Sequence, residues 1–225
     1  MGERVAAITG GHGALGRAVV EAALAAGWTV AVIDHASGHA VPEDVLEVGG
    51  VDLTDPAQAK SAIDAVVARY GRLDALLNIA GGFVWTPVEG DGEEWDRMHA
   101  LNVKTTLNAS RAALTHLKAS PEGRIVNVGA NGAIKAGHGM GAYAASKAGV
   151  HRLTEALAEE LKSTSVTVNA VLPSIIDTAA NRADMPDADP SKWVAPADLA
   201  AVILFLASPE ARAVTGALIP VTGKV

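Results

Sequence analysis

The stretch Thr9-Gly10-Gly11-His12-Gly13-Ala14-Leu15-Gly16 decides the fold. Gly11, Gly13 and Gly16 carry the spacing G-x-G-x-x-G. They follow a short apolar run, Arg4–Thr9, and open a segment with helical spacing, Gly13–Ala26, which Gly27 closes. A buried strand, a glycine bend and a helix in that order begin a βαβ unit. Glycine lets the chain turn sharply and lets a pyrophosphate approach the backbone. The N–H groups and dipole of the helix N-terminus then favour an anion. The next apolar run, Thr29–Asp34, reads as a second buried strand ending on an acid. A carboxylate there accepts hydrogen bonds from an adenosine ribose and repels a 2′-phosphate, so Asp34 points to NAD(H) over NADP(H). The plain alternative is a tight turn with a solvated strand end.

Outward from this unit the rhythm repeats. Val45–Val48 is a short third strand, and Pro56–Tyr70 a helix with Thr54 or Asp55 at its N-cap. Leu73–Ile79, Arg124–Gly129, Val166–Leu172 and Ala217–Val221 read as strands. Glu93–Lys118, Tyr143–Lys162 and Ala197–Ala207 read as helices. Strands that are almost continuously apolar are buried on both faces. The expected fold class is therefore α/β: one Rossmann-type, doubly wound parallel sheet with helices on both faces, forming a single domain over residues 1–225. The polar stretch Asp177–Pro196 reads as an irregular loop near the ligand, outside the core.

Bulk properties narrow the function classes. Lys and Arg number 18 against 25 Asp and Glu, a formal charge of −7 with no basic run, which argues against nucleic acid as a partner. The absence of cysteine excludes disulfides and thiolate metal sites, and the seven His residues are scattered without metal-ligand spacing. Met1-Gly2-Glu3-Arg4 leads straight into a strand, unlike a signal peptide, and no apolar run nears the ~20 residues of a membrane span. A cytoplasmic location, a small-molecule substrate and no metal or membrane partner are the expectations.

Tyr143 and Lys147 stand four apart at the start of a helix and so share a face. A free phenol, with a pKa of about 10, relays protons poorly at neutral pH. A neighbouring ammonium and an oxidised nicotinamide would favour the phenolate and lower that value. Tyr143 then becomes a candidate acid–base and Lys147 a candidate ligand for the nicotinamide ribose. Alone, such a pair is commonly a surface or packing feature. Here a glycine-rich approach, Gly137-His138-Gly139-Met140-Gly141, leads into it.

Taken in order, these motifs resemble the short-chain dehydrogenase/reductase family over nearly the whole chain. They are the glycine turn Gly10–Gly16, Asp52-Leu53, Asn78-Ile79-Ala80-Gly81, Asn102, Tyr143-x-x-x-Lys147, and Pro173 through Thr178. The resemblance implies a nicotinamide-dependent oxidoreductase and a homodimer or homotetramer. It implies that Gly10, Gly11, His12, Gly13, Ala14, Leu15 and Gly16 hold the diphosphate, with Asp52 and Leu53 beside the adenine. Asn78, Ala80 and Gly81 would line the cofactor groove, and Pro173, Ile176 and Thr178 its nicotinamide end. Asn102 would organise a proton path beyond Lys147, so the catalytic set is Tyr143, Lys147 and Asn102. Asn78 and Asn102 also admit a simpler role, satisfying buried backbone groups.

The chain departs from the family in three places. Ala14 stands where the middle glycine of T-G-x-x-x-G-x-G is expected, and Ser174 follows Pro173 where glycine is common. Ala130 occupies the position of the catalytic serine, in Asn127-Val128-Gly129-Ala130-Asn131. Three consequences stay open. Asn131 can replace the missing donor in a general carbonyl reductase. The substrate can be an electrophile needing little polarisation, such as an imine or quinonoid ring. Or the chain binds dinucleotide as a non-catalytic sensor. Gly11–Gly16, Gly129-Ala130 and Gly139-Met140-Gly141 resemble the dihydropteridine reductase branch of the family, which also lacks the serine and uses NADH on a quinonoid dihydropterin. Phe83, Val84, Trp85, His138 and Met140 are then the candidate pocket wall.

Overall fold

A computed structural model describes residues 4–38, 41–90 and 92–225. The leading Met1, Gly2 and Glu3 lie outside the described residues. Among the described residues seven strands form one sheet: β1 (Val5–Thr9), β2 (Thr29–Ile33), β3 (Leu46–Val48), β4 (Ala75–Asn78), β5 (Arg124–Val128), β6 (Thr167–Pro173) and β7 (Leu218–Val221). Their order is β3-β2-β1-β4-β5-β6-β7, and every pairing is parallel. Thr9, the last residue of β1, pairs with Ile33 on one side and Asn78 on the other. From β1 the sheet grows outward in both directions, so β1 and β4 flank the topological switch point. A crevice opens there beyond the carboxyl ends of the strands.

Period-2 alternation sends successive strand residues to opposite faces. On one face Ile8, Val32 and Leu77 pack under α1 (Ala14–Ala25) and α7 (Pro196–Ala207), through Leu15, Val19, Leu199 and Ile203. On the other, Ala7, Ile33, Leu76 and Ile125 meet α2 (Pro56–Tyr70), α4 (Thr105–Ala119) and α5 (Gly141–Glu160), through Ile63, Val66, Leu117 and Leu157. Each such aliphatic side chain removed from water contributes about 1.5–3 kcal/mol, the main term holding the helices to the sheet. Asp55 is the N-cap of α2: its carboxylate accepts from the N–H groups of Ala57 and Gln58. Among the described residues no helix is long and apolar enough to cross a membrane.

Two elements differ from the sequence reading. The expected helix Glu93–Lys118 divides into α3 (Glu93–Met98), a π-helical turn (His99–Lys104) and α4, with Asn102 inside the turn. The stretch Asp177–Pro196 is neither wholly irregular nor outside the core. It holds α6 (Ala179–Asp184), N-capped by Thr178, and a 3-10 turn at Pro190–Lys192. Trp193 and Val194 are buried, and Val194 bridges to Ile176. Two apolar residues inside a run of Asp, Ala and Pro make no periodic pattern, and only the bridge reveals where they go.

Candidate active site

The glycine bend is built where β1 ends at the switch point. Gly10 has φ +68°, and a Cβ on it would lie 2.8 Å from the backbone of Ala80. A Cβ on Gly16 would penetrate the Gly10 carbonyl, so the first turn of α1 sits against the bend only with glycine there. Gly11 is closed off by the Val32 side chain. Gly13 has an ordinary φ of −69° and meets only the Gly10 carbonyl, at 3.3 Å. The backbone demand thus falls on Gly10 and Gly16, and Gly13 carries less of it than the G-x-G-x-x-G reading assigned. Ala14 opens α1 in an exposed position, and Leu15 is buried beneath it.

Asp34 lies against this bend. Its carboxylate accepts from the N–H of His12 and the N–H of Ala36, both at 3.0 Å. The His12 ring pairs with Glu47 on β3 at 2.8 Å. The Asp34 carbonyl accepts from Val51 N–H, which brings the 51–53 segment alongside. Asp52 binds the Thr54 hydroxyl and N–H, and those bonds hold its carboxyl below the usual carboxylate range. Leu53 is buried and its carbonyl accepts from Asn108.

At the exit of β4, the Thr9 hydroxyl accepts from the N–H groups of Ile79 and Ala80, which ties β1 to the crevice wall. Ala80 adjoins Gly10, and Gly81 faces both Asn102 Oδ1 and Lys147 Nζ. Asn78 is buried, and its amide donates to the Ser110 hydroxyl on α4 and to Asn127 Oδ1 on β5, side-chain partners and not backbone groups. Pro173 ends β6, the Ile176 carbonyl accepts from Asn181, and the Thr178 hydroxyl caps α6.

The Tyr143–Lys147 pair sits on the first turns of α5, which begins two residues before Tyr143, at Gly141. Lys147 is buried and its Nζ donates to the Val128 carbonyl at 2.8 Å, its one hydrogen bond among the described residues. Burial lowers its pKa to about 8. Tyr143 keeps some exposure, yet the desolvation it suffers pushes its phenol up to about 12. The protein groups alone therefore do not produce the lowered phenol that the sequence reading expected. Desolvation disfavours the phenolate, and the same desolvation weakens the ammonium meant to stabilise it. Asn102 binds both polar groups of Gly82 and donates to Ser146 Oγ at 3.0 Å. Ser146 in turn donates to the Tyr143 carbonyl at 2.7 Å. Ser146 and Thr9 are the site residues that the sequence reading passed over. Their only signal was adjacency, Thr9 before Gly10 and Ser146 before Lys147.

Ala130 is buried at the exit of β5 and offers no side-chain donor, while the Asn131 amide makes no hydrogen bond within the described residues. An aromatic wall stands nearby. Phe83 meets Tyr143 edge-on with centroids 4.9 Å apart, and Trp85 contacts His138 and donates to its carbonyl at 3.0 Å. Phe83 and Trp85 are both more than half exposed. A Cβ on Gly132 would lie 3.0 Å from the end of Met140, so this side chain lies against the turn at Asn131–Ala133.

These residues fit a dinucleotide. The bend and the α1 N-terminus offer N–H groups and clearance for a diphosphate, Asp34 offers a carboxylate at the end of the neighbouring strand, and Lys147 keeps donors in hand. Comparison with known proteins gives the same result: the short chain dehydrogenase family model matches residues 4–189. The chain belongs to the short-chain dehydrogenase/reductase family. Among its relatives, 2-(S)-hydroxypropyl-CoM dehydrogenase 3 of Xanthobacter autotrophicus is 34% identical over 97% of this chain and 95% of that protein. The 3-oxoacyl-[acyl-carrier-protein] reductase of Vibrio cholerae is 31% identical over 98% and 96%. The structure of the 3-ketoacyl-(acyl-carrier-protein) reductase of Brucella melitensis complexed with NADH superposes with a TM-score of 0.87. It is 26% identical and covers 99% of this chain and 98% of that one. This short-chain dehydrogenase/reductase is accordingly an NAD(P)-dependent oxidoreductase.

Proposed function

We propose that this enzyme is an NADH-preferring reductase in which Tyr143 protonates the atom being reduced, and that its substrate is a planar conjugated electrophile such as a quinonoid dihydropterin or an imine. The supporting observation is the combination of Ala130 at the serine position with an intact Tyr143–Lys147 pair and an exposed aromatic wall. A bound nicotinamide supplies the hydride. Lys147 would hold the ribose with the donors that Val128 leaves free, and Asn102 steadies the Tyr143 turn through Ser146. A substrate that carries its own electron deficiency needs no serine to polarise it, whereas loss of such a donor costs other enzymes about 10²–10³ in rate. Phe83 and Trp85 offer flat apolar faces to a ring. The preference for NADH rests on Asp34 and Glu47, two carboxylates at the ribose end that a 2′-phosphate would meet. In this reading one domain carries both cofactor and substrate and the enzyme works in the cytoplasm, and family resemblance implies that the chains assemble as a homodimer or homotetramer. Light scattering that found only monomer would overturn the assembly.

A cofactor-oxidation screen with NADH and NADPH, including quinonoid dihydropterin, imines and simple ketones, tests the reading. We expect turnover with the conjugated substrates and tighter binding of NADH. In Tyr143→Phe, kcat should fall by about 10²–10⁴ with the NADH Kd little changed. Unchanged turnover would remove Tyr143 from the chemistry. A second reading, a general carbonyl reductase with Asn131 as substitute donor, is favoured by the free Asn131 amide and by the hydroxyl and oxo chemistry in the relatives' names. Turnover of simple ketones that Asn131→Ala abolishes would select it. NADH binding without any turnover would indicate a sensor.

A further inference from the structure

His151 lies one helical turn beyond Lys147 on α5, is 4% exposed, and has no part in the chemistry above. Its Nε2 accepts the N–H of Ala130 at 3.3 Å. An imidazole nitrogen accepts only when it carries no proton, so the ring is neutral with its hydrogen on Nδ1. The ring lies on Gly129, where a Cβ would come to 2.5 Å from Nε2. Residue 128 supplies the carbonyl for Lys147, residue 129 seats the imidazole, and residue 130 donates to it. Two side chains of α5, one turn apart, thus grip three consecutive residues at the exit of β5.

We propose that His151 is a positioning residue of the reduction: the neutral imidazole fixes the β5 exit, and with it both the carbonyl that aims Lys147 and the backbone at the serine position. This rests on the Tyr143–Lys147 reading above. A histidine there supplies an acceptor from the adjoining helix, at the point where the strand end turns into the Asn131–Ala133 turn. Burial, then the charges of Arg152 and Lys147, hold the imidazole below its ordinary pKa. From β5 it meets Gly129, which does not titrate. Protonation would turn Nε2 into a donor facing another donor, the Ala130 N–H, and break the grip.

The tests are His151→Gln, whose side-chain oxygen can accept without titrating, and His151→Leu, which cannot accept. We expect His151→Leu to lower kcat for NADH-driven reduction about tenfold, since the buried Ala130 N–H loses its partner. KM and NADH Kd should stay within about threefold of wild type on the same grounds. His151→Gln should recover most of kcat and remove the acid limb of the wild-type kcat profile. Nitrogen-15 NMR of the wild type, with the His151 signals assigned by their absence from His151→Gln, should show the Nδ1–H tautomer at pH 7. An Nε2–H tautomer, or an unchanged kcat and acid limb in His151→Leu, would overturn the proposal. So would equal losses in both variants that follow only their melting temperatures. The tautomer is measured without turnover, so a failure of Tyr143→Phe to lose activity would strike the acid–base assignment alone.

Discussion

Burial acts on Tyr143 and Lys147 in opposite directions, raising the phenol to about 12 and lowering the ammonium to about 8. The lysine's shift has a measurable consequence. Its folded pKa lies below its unfolded value, so between pH 8 and about 10 the unfolded chain binds one more proton than the native one. This single group therefore makes stability rise with pH across that window, by about 1.4 kcal/mol per pH unit. Below pH 8 its burial is a standing cost. Urea unfolding of the protein alone, wild type against Lys147→Met, should show the difference shifting toward wild type as pH goes from 8 to 10. A difference independent of pH would mean that Lys147 is not desolvated. At the glycine bend, Gly16→Ala should abolish NADH binding by fluorescence titration, because the added methyl collides with the Gly10 carbonyl. Gly13→Ala should bind within about tenfold of wild type, its φ being ordinary and its single neighbour at 3.3 Å.

At the scale of elements, the π-helical turn His99–Lys104 has the clearest link to function. A π turn inserts an extra residue into a helix and re-aims one side chain, a device concentrated at functional sites. Here it surrounds Asn102, fully buried, which joins Gly82 on the β4 exit to Ser146 on α5. Asn102→Ala should cost about 1–3 kcal/mol by denaturant unfolding, because the buried polar groups of Gly82 lose their partner. It should also lower kcat more than it raises the NADH Kd. At the opposite end of the sheet, Asp74 binds Arg72, the Ser120 hydroxyl and the Val5 N–H. Burial alone would raise its pKa, but these bonds prevail and hold it below the usual carboxylate range. A depressed folded pKa gives stability that is complete above the unfolded value near 4 and is lost as pH falls through the folded one. Asp74→Asn should accordingly flatten the acid side of the stability profile, read as melting temperature below pH 4.

For the whole molecule, two cores sandwich one sheet, and all seven strands send their carboxyl ends to the same edge. That edge gathers Asp34, Gly81, Ala130 and the start of α5, while Asp74 and the amino ends of the strands are left to stability. Ile203→Ala, far from the crevice in the α1–α7 face, should cost about 2–5 kcal/mol of stability and leave the NADH Kd unchanged. A large change in affinity would mean that the two ends are coupled.

Periodicity and punctuation were enough to determine the strands and most helices, since strands buried on both faces must be apolar and the glycine bend must sit between β1 and α1. The order of motifs along the chain likewise singled out Gly10, Asp34, Tyr143 and Lys147 as candidates for the site. Contacts between segments distant in sequence leave no local pattern, and these the tertiary structure alone decided. It joined Asn78 to Ser110 and Asn127, broke the Asn102 helix with a π turn, buried Trp193 and Val194, and gave Lys147 a backbone carbonyl that no side-chain code records. Likewise only packing reveals that Gly129 must be small, because the ring that demands it lies 22 residues further along the chain.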